Sequence, residues 1–150
     1  MEYNRENWPE KKRDIIDAAV SVTADVGLAR TTTALIAKKA KVGEGTIYRH
    51  FKSKDEILLT AAHLTSDKLF AKPRKTYNPD LPVQSQYLNF CESFLRSAKQ
   101  IKEHHIFMEQ FIESPQGVAY RKEFAWKMEN GQISRGLGYP LDIILCHGLQ

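Results

Sequence analysis

Seven cations fall between Arg30 and Lys54: Arg30, Lys38, Lys39, Lys41, Arg49, Lys52 and Lys54, against one acid, Glu44. Among them stand the hydroxyl and imidazole groups of Thr31, Thr32, Thr33, Thr46, Tyr48 and His50. Ammonium, guanidinium and hydroxyl donors are what phosphate oxygens and base edges accept hydrogen bonds from. The chemistry this stretch can do is therefore binding of a polyanion. Glu44 is the exception, and would repel phosphate unless it accepts from a cytosine amino group. The net charge of +4 arises within residues 1–54, which hold eleven Lys/Arg and seven Asp/Glu, while residues 55–150 are balanced at eleven each. On charge alone, an ordinary solvated helix surface reads equally well.

Other chemistries find less support. There is no Gly-rich phosphate loop, no Gly-x-Ser-x-Gly elbow and no carboxylate pair tied to a histidine, so the chain does not read as an enzyme. His105 and Glu109 stand one helical turn apart, but two ligands do not make a metal site, and no metal or cofactor is expected. Cys91 and Cys146 lie too far apart for a metal spacing or a disulfide framework. No apolar run approaches the roughly 18–20 residues that a membrane span needs. The polar start Met1-Glu2-Tyr3-Asn4-Arg5-Glu6 does not resemble a secretory signal. A cytoplasmic protein, nucleoid-associated when bound to DNA, is the expectation.

The elements that must hold the donors are helices, and the class is all-α. Ile15, Ile16, Ala19, Val20, Thr23 and Val26 recur at three- and four-residue steps after Pro9, and Gly27 suits the left-handed position that ends a helix. Thr31–Thr33 supply a cap for a short helix over 34–40, with Leu35, Ile36 and Ala40 as its apolar side. A break at Lys41-Val42-Gly43 precedes a second short helix from Glu44 to about His50. At 100° per residue, Ile47 and Phe51 face inward while Gly45, Thr46, Arg49 and Lys52 face out, with Tyr48 and His50 on the flanks. Two short helices, a three-residue turn and a longer helix behind them have the layout of a helix-turn-helix over 32–51.

Beyond it, a long helix is expected from Lys54 to about Lys72, stopped by Pro73, with a loop from Lys72 to Pro82. Further helices carry Tyr87, Leu88, Cys91, Phe94, Leu95, Ala98 and Ile101, then Ile106, Phe107, Phe111 and Ile112. Ser114-Pro115 starts another, bearing Val118, Phe124, Ala125 and Met128. Aromatics crowd this half, from Phe70, Tyr77 and Phe90 to Tyr120 and Trp126, and suit either a packed core or an apolar ligand pocket. Leu141–Gln150 reads as an apolar helix cut at its first turns, so the chain is expected to be incomplete at that end.

The run Thr31-Thr32-x-x-x-Ile36-Ala37-x-x-Ala40-x-Val42-x-x-Gly45-Thr46-Ile47-Tyr48-x-His50-Phe51-x-x-Lys54-Asp55-x-Ile57-Leu58 resembles the N-terminal domain of the TetR (tetracycline-repressor) family over about residues 10–65. The resemblance implies a homodimeric, ligand-responsive transcriptional regulator, usually a repressor, that binds a palindromic operator on double-stranded DNA. It divides the chain into a helix-turn-helix DNA-binding domain, 1–54, and a helical regulatory and dimerisation domain, 55–150. It implies that Thr32 and Thr33 touch phosphate, Gly45 and Thr46 approach bases, Tyr48 and His50 bond phosphates, and Lys54 pins the DNA backbone. Lys41, Arg49 and Lys52 join them as exposed cations. Two positions depart from the family's pattern. Lys41 stands where a turn glycine is usual, and Gly43 where a capping serine is usual. A small apolar or aromatic effector is expected in the second half, with Phe94 and Phe111 as pocket walls. The rival reading is a helical-bundle interaction module that offers its basic face to an acidic protein.

Overall fold

A computed structural model describes residues 5–76, 78 and 80–129, without the side chains of Arg74 and of residues 124–129. The expectations for Tyr77, Phe124, Trp126, Met128 and Leu141–Gln150 lie outside what is described. Every regular element among the described residues is helical: α1 (Glu10–Val26), α2 (Thr33–Ala40), α3 (Glu44–His50), α4 (Lys54–Thr76), α5 (Val83–Gln100), α6 (Lys102–Ile112) and α7 (Pro115–Glu129), with short 3-10 turns at Arg5–Asn7 and Leu28–Arg30. No helix among them is long and apolar enough to cross a membrane.

Local chemistry sets most boundaries. Pro9 precedes α1 in an extended conformation, where its missing N–H costs nothing. Gly27 ends α1 at φ 89°, ψ 152°. That is a positive φ open to glycine, but not the left-handed helical position expected from sequence. The extended ψ turns the chain straight into the Leu28–Arg30 turn. Thr31 locks this corner: its hydroxyl donates to the Gly27 carbonyl (2.9 Å) and lies 3.2 Å from the buried Thr23 hydroxyl. Thr32 caps α2 by accepting from the Leu35 N–H at 3.2 Å. Ser53 accepts from Glu56 N–H, and the Glu56 carboxylate accepts from Lys52 N–H, closing the first turn of α4. Ser114 opens α7 by accepting from Gly117 N–H at 3.0 Å, with Pro115 in the first position.

Two further expectations are corrected. Pro73 does not stop α4, which runs on to Thr76, so the loop after it is shorter than the expected 72–82. The proline removes one helical hydrogen bond at Leu69, yet tertiary packing holds the turn. Phe70 stacks on Phe90 and Phe94 of α5 (6.2 and 5.5 Å between centroids), the Lys72 amine donates to Gln100, and Thr76 Oγ1 donates to the Pro73 carbonyl. In α2 the buried pair is Ile36 and Ala37, and Leu35 is exposed. An eight-residue helix offers two near-equal choices of inner face, and contact with α1 selects the one through Ala37.

One apolar core runs through both ends of the chain. Ile15, Ile16 and Val20 of α1 share one buried cluster with Ile36, Ile47 and Phe51 and with Ile57, Leu58, Phe107 and Phe111. Where α4 and α6 pass, Lys68 Nζ lies 2.8 Å from His104 Nε2. Burial first, and the Lys68 charge second, push the His104 imidazole down to about 4, with Asp17 opposing and Arg5 assisting the shift. The neutral ring therefore accepts from the ammonium. Because the folded pKa lies below the unfolded value of about 6.5, the unfolded chain binds this proton first, and stability is lost as pH falls from about 6.5 to about 4. His104→Gln keeps an acceptor for Lys68 without the titration. Its melting temperature should fall less than that of the wild type across that window in a thermal series. Parallel curves would show that His104 does not carry the effect.

Candidate nucleic-acid interface

The turn between α2 and α3 is built by backbone bonds. Val42 N–H donates to Ala37 O (3.0 Å) and Lys41 N–H to Lys38 O (3.3 Å), the paired bonds of a Schellman ending. They hold Lys41 in the left-handed region at φ 55°, ψ 42°, although a side chain there costs about 1–2 kcal/mol. Glycine gives back part of that through its unfolded-state entropy, so Lys41→Gly should stabilise the fold by about 0.5–1 kcal/mol in urea unfolding. A loss of stability would mean that the lysine stem contributes more than its backbone costs.

α3 is held from one side. Ile47 is its one fully buried residue, and Phe51 just beyond the helix is buried too. On the outer side Glu44, Gly45, Tyr48, Arg49 and Lys52 are exposed, and Thr46 and His50 are half-buried. Tyr48 leaves 58 % of its surface in solvent, a large value for an aromatic. A Cβ built on Gly43 or Gly45 would meet no atom within 4 Å, so another molecule's surface can approach the backbone there. Lys41 is exposed on the turn, Thr32 is exposed, and Thr33 is half-buried in the first turn of α2. Thr32 uses its oxygen as an acceptor, which leaves its hydroxyl proton for an outside acceptor.

Lys54 is placed with a partner that sequence did not reveal. Its half-buried amine donates to the Thr31 carbonyl at 3.1 Å and ties the start of α4 to the entrance of α2. Lys39, counted among the cations, lies 3.5 Å from the Asp25 carboxylate at the exposed end of α1. The Lys12 ammonium sits over the Trp8 ring (4.0 Å to the centroid) and 5.4 Å from that of Phe51, pinning the chain ahead of α1 to the end of α3. The four-residue spacing of Trp8 and Lys12 was the available signal.

The helices beyond are joined to this unit by two polar contacts. Leu28 N–H donates to Gln110 Oε1 at 2.8 Å, and Gln116 Nε2 donates to Asp55 Oδ1 at 3.2 Å. Between them lies an open cleft of about 810 Å³, lined by Val26, Leu28, Lys54, Asp55, Gln110 and Gln116 among others. Phe111 is fully buried, stacked on Phe107 and edge-on to Tyr120, both at 5.9 Å. Phe94 is half-buried, between the Phe70 and Phe90 rings and the edge of His105.

This arrangement presents a helix with a bare, donor-bearing face beside a second helix's N-terminus. Comparisons with known proteins point the same way. Residues 15–61 match the family model of the bacterial regulatory proteins, tetR family. The HTH-type transcriptional regulator YhgD of Bacillus subtilis is 29 % identical over 126 residues, covering 83 % of this chain and 64 % of its own. The HTH-type transcriptional repressor KstR2 of Mycobacterium tuberculosis is 28 % identical over 129 residues, covering 83 % and 61 %. The chain thus spans less than two thirds of either relative. Among solved structures, a TetR-like transcriptional regulator from Rhodococcus sp. RHA1 superposes with a TM-score of 0.71 at 19 % identity, over 95 % of this chain and 81 % of that one. At that identity the likeness speaks to the fold.

Proposed function

From the premise that the chain belongs to the tetR family of bacterial regulatory proteins, we propose that it is a ligand-responsive transcriptional repressor that binds a palindromic operator as a homodimer. The observation that carries the reading is α3: anchored through Ile47, open at Gly45, and faced with Thr46, Tyr48, Arg49 and Lys52. A major groove about 12 Å wide admits such a helix. In this reading Gly45 lets the backbone approach the bases and Thr46 reads a base edge. Thr32, Thr33, Tyr48 and His50 bond phosphates, while Lys41, Arg49 and Lys52 neutralise them. Residues 1–54 form the DNA-binding domain and 55–150 the regulatory one, although the core passes through both.

Lys54 acts in this reading by two means: it adds charge beside the DNA backbone, and it fixes α2 through Thr31. Lys54→Ala should weaken binding to all duplexes and lower the salt slope by about one unit. Lys54→Gln retains a donor for Thr31, so it should lower the slope equally with a smaller loss of affinity. Equal losses in the two variants would leave no role for the Thr31 bond.

Effector control would pass through α4, whose first turn touches the DNA-binding unit and whose later turns carry Phe70. A small apolar or aromatic molecule, with Phe94 and Phe111 near it, would change the tilt of α4 and the joint at Gln110 and Gln116. Two recognition helices must stay about 34–36 Å apart, so a small shift lowers affinity, with a coupling of about 1–3 kcal/mol.

The test is titration of the full chain against random and pool-selected duplexes over a range of salt. Steep salt dependence on both, with at least about 1,000-fold tighter binding to a selected inverted repeat, is the expected result. No binding to either duplex, with capture of an acidic protein instead, would overturn the reading.

A further inference from the structure

Glu44 stands apart among the donors of α3. It is the one acid between Arg30 and Lys54, it is exposed in the first turn of the helix, and it makes no hydrogen bond or ion pair among the described residues. It does not cap α3: Gly43 at the cap has no side chain to bond with, and no side chain closes that end. Nothing encloses it either, since the positions on both sides, Gly43 and Gly45, have open space around where a Cβ would stand. At 100° per residue, Glu44 shares a flank of α3 with Tyr48, while Thr46 lies about 160° round on the other flank. The first turn of a recognition helix is the part that meets base edges. A carboxylate carried there loses water and faces phosphates, so it lowers affinity unless a donor meets it.

The major groove holds two such donors, the N4 amino group of cytosine and the N6 amino group of adenine. Adenine sets its N7 acceptor beside N6, an arrangement that suits an amide and repels a carboxylate, whereas cytosine has no acceptor beside N4 on its own edge. We propose that Glu44 is a specificity-determining residue, whose carboxylate accepts a hydrogen bond from the N4 amino group of one cytosine in each half-site. This role rests on the DNA-binding function proposed above, and adds a second base to the one assigned to Thr46. The two side chains leave the helix about 3 Å apart along its axis and on opposite flanks, against about 3.4 Å between successive bases of a strand, so they meet different base pairs. Lys41 and Arg49, three residues before and five after Glu44, are both exposed and offset its charge toward the phosphates on either side. With any other base at that position the carboxylate is left unpaired, so Glu44 rejects wrong sites as well as holding the right one.

The test is selection of duplexes from a random pool by the full chain and by its Glu44→Gln and Glu44→Ala variants, which alter an exposed position only. The wild type should hold a cytosine at one fixed position in each half-site. Glutamine, which can bond N6 and N7 together, should move that preference to adenine, and alanine should leave the position undefined. A second measurement uses the selected duplex with that cytosine replaced by N4-methylcytosine, which still pairs with guanine but turns a methyl group to the major groove. The change should weaken wild-type binding about 5- to 150-fold and leave the alanine variant within about twofold. An inverted repeat whose preferences survive in both variants, with every duplex bound more tightly, would make Glu44 a repulsive charge only and overturn this proposal while the DNA-binding function stands. Failure of the wild type to enrich any duplex would overturn both.

Discussion

Ile47→Ala should destabilise the protein by about 2–5 kcal/mol, the range for truncating a fully buried isoleucine. The cost is high because this one side chain holds α3 against the core formed with Ile36 and the isoleucines of α1. Its neighbour makes the contrast. Thr46, half-buried on the outer side, should change stability by no more than about 0.5 kcal/mol when cut to alanine. Urea unfolding of both variants checks the pair. A loss under about 1 kcal/mol for Ile47→Ala would mean that α3 is held by something other than its inner face.

Reversing the outer charges should act on DNA and leave the fold alone. Arg49 and Lys52 are exposed, so Arg49→Glu with Lys52→Glu should keep the wild-type melting temperature. Each lost cation removes about 0.9 from the slope of log affinity against log salt, and each added acid repels phosphate, so affinity for any duplex should drop by at least about 100-fold. Anisotropy titrations on specific and scrambled duplexes measure both quantities. Unchanged affinity with an unchanged slope would show that the phosphates lie elsewhere.

What could be read from the residues follows from how local its cause is. The caps at Thr32 and Ser114 are fixed by neighbours three residues away, and the facing of Ile47 against Tyr48 by helical periodicity. The turn at Lys41 could be placed from the break between two short helical patterns, and the resemblance marked it as a usual glycine position, which fits its left-handed backbone. Pro73 went the other way: a local rule for stopping helices lost to the Phe70, Phe90 and Phe94 stack, which joins residues far apart in sequence. The pairing of Lys39 with Asp25, of Lys54 with the Thr31 carbonyl and of Gln110 with Leu28 left no pattern in the sequence, because each joins different elements, the last two across 23 and 82 residues. In the second half, aromatic content was legible but not its use, since core and pocket draw on the same side chains.

The central claim is that the outer face of α3 reads base sequence, and selection of bound duplexes from a random pool by wild type and by Thr46→Ala tests it most directly. The Thr46 side chain, next to the open backbone at Gly45, should govern one base position. The variant's selected sites should therefore keep the inverted repeat and lose preference at one position in each half-site, at about 1–3 kcal/mol per base pair. Identical preference profiles for the two proteins would contradict the account.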